Sequence, residues 1–173
     1  MFEALKLLGV TVSAGFLGVL VPPPANATEF DQSNLRAAII FNILRFTEFG
    51  SSQKNVVLCV EPHNPLAKAL QNYHGKNLSG GKQLVVKAAQ RITTQSGCSA
   101  AYIGELPRDR IIANPPRGVL LIGEGPNVIR GGGTIALVRF GRQIGFEINL
   151  QAGNEAGVRF SSHLLRLARN VKD

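Results

Sequence analysis

The chain has 173 residues with 19 Lys and Arg against 11 Asp and Glu, a net charge of +8, and 45% hydrophobic residues. That length and apolar content fit one domain with a real core and exclude a disordered or low-complexity chain. Two cysteines exclude a disulfide-dense scaffold.

Lys6 precedes an apolar run from Leu7 to Val21, then Pro22, Pro23 and Pro24 and the small-residue triplet Ala25-Asn26-Ala27. This is the order of a signal peptide, with cleavage expected after Ala27. The run is short for a bilayer span and ends in helix-stopping prolines, so an uncleaved anchor is the weaker alternative. Glu3 and Lys6 cancel, so residues 28–173 keep the whole net charge. The expected location is outside the cytoplasm. A basic exported domain suits lipid headgroups, anionic polymers or an acidic protein face better than nucleic acid, and no nucleic-acid partner is expected. The charges are scattered, with Lys54, Lys68, Lys76, Lys82, Arg91, Arg117, Arg142 and Arg159 in different segments.

Asp31 is read as the cap of a helix from about Gln32 to Glu48, in which Leu35, Ile39, Ile43 and Phe46 recur at helical spacing and Ala38, Ile40, Phe41 and Leu44 widen the stripe. A stripe that wide predicts a mostly buried helix. The runs Val56–Val60, Ala100–Ile103 and Val119–Ile122 lack alternation and read as parallel strands covered on both faces. Between them lie a helix over Leu66–Tyr73, a strand over Leu84–Val86 and a polar crossover at Arg91–Ser96. This part is wound like a flavodoxin half. Thr134–Phe140 and Gln143–Asn149 flank Gly141-Arg142 and predict a hairpin. In its second strand Gln143, Glu147 and Asn149 share a face expected to be wet. A helix over Leu150–Ala156, a short Val158–Phe160 and a helix from Ser161 or Ser162 to about Val171 close the chain. The expected fold is α/β: a single three-layer domain with a mixed, mostly parallel sheet and a C-terminal β-hairpin and helix.

Cys59 and Cys98 both lie in apolar runs, and an even count in an exported chain favours a disulfide over two separately buried thiols. The Gly75–Lys82 segment GKNLSGGK lacks the Ser or Thr after its lysine that a phosphate loop needs, because Gln83 stands there; it is a turn before a strand. Gly123-Glu124-Gly125 and Gly131-Gly132-Gly133 bracket a flexible loop without dinucleotide spacing. Glu61, His63, Glu105 and Glu124 follow the buried runs, at the carboxyl ends of strands where open α/β sheets bind ligands. They define a ligand crevice without metal-ligand spacing, and no metal or cofactor is expected. Ser161, Ser162 and His163 are adjacent and face different ways, no nucleophile elbow exists, and no catalytic residue is assigned. In the last helix Arg166 and Arg169 form a cationic edge beside surplus leucines; with Glu147 and Asn149 on the hairpin they form the expected partner-binding face.

Several segments together resemble the YfiR family of small periplasmic proteins: Ala37–Phe49 (AAIIFNILRFTEF), Leu58–Val60, Cys98–Gly104, Gly145–Leu150 and Arg159–Ala168. The resemblance spans nearly the whole of residues 28–173. Family members usually carry Trp-Pro where this chain has Phe49-Gly50, and some have a second cysteine pair absent from it. The resemblance implies pairing of Cys59 with Cys98 and a non-enzymatic regulator. The best-known member binds the periplasmic part of an inner-membrane diguanylate cyclase and holds it inactive, and an outer-membrane lipoprotein removes it, raising cyclic-di-GMP and biofilm formation. The partner implied is such a cyclase or another membrane sensor, with that lipoprotein and a homodimer as further associations. A small-ligand-binding module using the strand-end crevice is the alternative, and a secreted hydrolase a weaker third.

Overall fold

The computed structural model describes residues 25–50, 54–108, 110–112 and 114–173. The expected signal peptide falls mainly on residues 1–24, outside the described residues. Helix α1 (Ala25–Arg45) already runs through Asp31, so that residue is interior to the helix and does not start it. The helix also stops earlier than its apolar spacing suggests. The Thr47 hydroxyl donates to the Ile43 carbonyl at 2.7 Å, and Thr47–Glu48 (β1) pairs antiparallel with Arg159–Phe160 (β8). A β-branched residue with a back-bonding hydroxyl makes a poor helix interior, and the strand partner captures it.

The remaining elements are β2 (Asn55–Val60), α2 (Leu66–Gln71), β3 (Gln83–Ala88), β4 (Ala100–Glu105), β5 (Leu120–Glu124), α3 (Asn127–Arg130), β6 (Ile135–Phe140), β7 (Gln143–Asn149), α4 (Leu150–Glu155), α5 (Ser162–Leu167) and β9 (Asn170–Lys172). The main sheet has the order β3-β2-β4-β5-β6-β7-β9. Its first five strands are parallel and follow the flavodoxin-like winding, so the chain reverses direction of travel between β2 and β4. β6 and β7 form the expected hairpin, with Gly141 at φ +56° in the two-residue turn.

One face of the sheet carries α1 and α2. Ala37, Ile40, Ile43 and Leu44 meet Val56, Leu58, Leu84, Leu120, Ile122, Ile135 and Ile148 in the main core. Each of these buried Leu or Ile side chains stabilises the fold by about 1.5–3 kcal/mol. The opposite face is covered more thinly. Cys59, Cys98, Ala101, Val119 and Leu121 pack under Ile92 and Ile112 from connecting segments, and Val128 and Ile129 of the one-turn α3 pack on Ala136. The glycine-bracketed segment expected as a flexible loop thus contains this turn. A Cβ at Gly123 would lie 2.6 Å from the Gly104 carbonyl oxygen, and one at Gly133 2.5 Å from Val128, so these glycines permit close backbone approach.

The closing helix is shorter than expected. α5 starts at the Ser161 cap, whose Oγ accepts the Leu164 N–H, and ends at Leu167; Ala168 is extended and Val171 belongs to β9, which pairs parallel with β7. Backbone pairing to an otherwise open sheet edge displaces the last turn of helix. Cys59 and Cys98 form a disulfide with Cα atoms 5.8 Å apart, just where β2 and β4 adjoin.

Candidate functional site

At the carboxyl ends of β2, β4 and β5 lies a cleft of about 380 Å³ bordered by Gln32, Arg36, Asn64, Tyr102, Glu105 and Glu124, among others. It opens at the point where the winding reverses, the place where sheets of this kind leave a crevice between diverging connections. Glu124 is the last residue of β5 and Tyr102 the third of β4, while Arg36 reaches across from α1. The Arg36 guanidinium makes an ion pair with Glu124 at 3.0 Å, both side chains mostly buried. The Tyr102 hydroxyl donates to Glu124 Oε1 at 2.6 Å. Burial, then the hydrogen bond to Glu124 and its negative charge, hold the Tyr102 phenol well above its ordinary range, so it stays a neutral donor.

A second strut extends from the same cluster. Arg36 also donates to the Gln32 carbonyl at 3.3 Å, and Arg139 of β6 donates to Gln32 Oε1 at 2.6 Å. Helix α1 is therefore fastened to β5 and β6 through two arginines. Asn64 Oδ1 accepts the Leu66 N–H and orders the start of α2 at the cleft wall.

Of the four acids and bases expected at strand ends, Glu105 and Glu124 come together at the cleft, paired in register across β4 and β5. Glu61 and His63 do not line it. They are exposed in the turn after β2, and Asn64 takes the place they were expected to fill. Arg36 and Tyr102 were not singled out from sequence. Their only signal is a charged residue inside an apolar helix and a phenol inside an apolar strand.

Of the expected partner face, Arg166 is exposed on α5 and Glu147 half-buried on β7. Asn149, expected on a wet face, is buried, and its Oδ1 accepts the Ala152 N–H as the cap of α4. Arg169 lies beyond the end of α5. Its guanidinium carbon sits 3.8 Å over the Phe140 ring, its backbone N–H donates to Phe146, and its stem fills the space a Cβ at Gly145 would meet. Arg166 and Arg169 therefore do not form one helical edge. A broader open groove of about 940 Å³, at the amino ends of β5 and β6, includes Ile92, Arg117, Thr134 and Glu155; its buried polar group, Thr134, accepts the Leu121 N–H.

Among solved structures, the chain is similar to a conserved domain protein from Vibrio cholerae, with 14% identity, a TM-score of 0.47, and coverage of 81% of this chain and 60% of that one. It is similar also to an ABC domain in complex with L-Trp from Streptococcus pneumonia, with 10% identity, a TM-score of 0.46, and coverage of 80% and 61%. The chain thus spans about three fifths of either protein, and neither likeness bears on what it does. No curated protein matches it. Residues 33–169 match the family model described as YfiR/HmsC-like.

Proposed function

The chain belongs to the YfiR/HmsC-like family, and on that premise we propose that it binds the periplasmic part of an inner-membrane diguanylate cyclase and holds it inactive. The family itself points to a periplasmic regulator. The observation that carries the reading is the extent of the match, residues 33–169, which takes in α1 from its third turn onward and every strand of the main sheet up to β7. The Cys59–Cys98 disulfide fits an exported protein. No helix among the described residues is long and apolar enough to cross a membrane. Regulation then works by binding, with an outer-membrane lipoprotein as the competing partner that relieves it.

A pull-down of the exported protein against solubilised inner membrane, read with cellular cyclic-di-GMP, tests this reading. Recovery of a cyclase and a fall in cyclic-di-GMP on overexpression are expected. Recovery of a different membrane sensor with unchanged cyclic-di-GMP refutes the cyclase assignment. The cleft supports a second reading, a small-ligand module, because Arg36, Tyr102 and Glu124 converge there from three elements. Tight calorimetric binding of a small polar molecule without any membrane partner would favour it.

A further inference from the structure

We propose that the segment joining β4 to β5 is a docking loop for an anionic phospholipid surface, with Ile111 as its inserting side chain and Arg108, Arg110 and Arg130 as its cationic collar. Ile111 is 73% exposed, the most exposed of the large hydrophobic side chains described. Its neighbour Ile112 packs beneath it against the Cys59–Cys98 side of the core. The loop is fastened where it turns: the Ile112 N–H donates to the Gly131 carbonyl at 2.9 Å, and the Arg110 N–H donates to Pro107 at 3.1 Å. Gly131 is required for that approach, since a Cβ there would lie 2.4 Å from Leu106 and 3.2 Å from the Arg110 carbonyl oxygen. With Ile112 anchored inward, Ile111 is presented outward.

The same fastening brings two segments' charges to one place. Arg108 and Arg110 precede Ile111, and Arg130 is the last residue of α3, next to Gly131; all three are exposed. Arg117 is exposed on the return arm of the loop. Asp109 is the single acid in the connecting sequence 106–119.

An exposed aliphatic side chain with exposed arginines in the same and the neighbouring segment suits a lipid surface. The guanidinium groups stay at the phosphates while their stems and the isoleucine enter the acyl boundary, and an anionic leaflet attracts each cation. A protein partner is the less fitting occupant, because one protruding residue offers far less than the roughly 800 Å² per side of a stable interface, and the loop has no aromatic anchor. The proposal does not depend on which membrane protein is regulated.

The test is sedimentation of the exported protein with vesicles rich in phosphatidylglycerol and with vesicles of phosphatidylcholine alone. Binding to the anionic vesicles, lost at high salt, is expected. Arg108→Glu with Arg110→Glu should weaken it at least about tenfold, and Ile111→Ser by several-fold to about tenfold. Lys68→Glu with Lys76→Glu, an equal charge change on exposed residues elsewhere, serves as the control and should weaken it far less. All variants change exposed side chains, so their thermal melts should match the parent. Equal weakening by the control pair would reduce the effect to overall basicity and overturn the proposal, as would binding no stronger than to phosphatidylcholine. Loss of vesicle binding with an intact pull-down partner would leave the regulatory reading standing, and the reverse would leave the membrane loop standing.

Discussion

Reducing the Cys59–Cys98 bridge should lower stability by an amount set mainly by the unfolded chain. In the folded state β2 and β4 are already neighbours, with Leu58 opposite Ala100 and Cys59 opposite Ala101, so the pairing does not rely on the bond. In the unfolded state the bond closes a loop between residues 39 apart in sequence, and removing it returns about 4 kcal/mol of chain entropy. For a domain of this size that corresponds to a fall in Tm of about 10–15 °C. A total stability of about 5–15 kcal/mol would be cut by a large fraction yet leave most molecules folded near 25 °C. The assay is a thermal melt with and without a strong reductant, with mass analysis after alkylation in denaturant showing two added groups only in the reduced sample. A fall of less than about 3 °C in fully reduced protein would refute the loop-entropy reasoning. It would mean that the reduced unfolded chain keeps the two segments close.

Three further outcomes follow from single contacts. Tyr102→Phe removes the hydroxyl that donates to Glu124 and should cost about 1 kcal/mol near neutral pH; because the folded phenol keeps its proton while the unfolded one loses it above about pH 10, the parent binds more protons folded than unfolded there and loses stability as pH rises, by up to about 1.4 kcal/mol per pH unit. The stability difference between parent and variant in denaturant titrations should therefore shrink or reverse from pH 10 upward, and a constant difference would refute the buried-donor assignment. Gly123→Ala places a methyl 2.6 Å from the Gly104 carbonyl and 2.7 Å from Val128, and should destabilise by about 1–3 kcal/mol in a melt, whereas Gly50→Ala, with nothing within 4 Å, should be near neutral. Arg169→Ala should lower Tm measurably through the lost stacking on Phe140, worth about 0.5–1 kcal/mol, while exposed Arg166→Ala should leave it unchanged; equal melts would show that the ring contact contributes nothing.

What the sequence determined by itself is what local pattern can carry. Unbroken apolar runs at Val56–Val60, Ala100–Ile103 and Val119–Ile122 require cover on both faces, so they announced parallel strands. The Gly141-Arg142 turn between alternating strands announced the hairpin, and two cysteines in a chain expected to be exported announced the bridge. Element ends were legible only where a neighbour did not compete: the apolar spacing of α1 continues past Arg45 and that of α5 past Leu167, but strand partners took Thr47 and Val171 because unpaired backbone at a sheet edge gains more from a ladder than from one more helical turn.

The cleft was decided by tertiary structure. Glu124 was foreseeable as a strand-end acid, but Arg36 lies 88 residues earlier and Tyr102 22 residues earlier, and no spacing rule links them. Only winding the sheet brings α1 over the ends of β4 and β5, and only there does desolvation make the three groups satisfy one another. Asn149 shows the same limit at closer range. Strand alternation assigns it to the outer face with Glu147, yet the chain turns into α4 at that residue, and a free N–H at the helix start claims the carboxamide that solvent would otherwise have met.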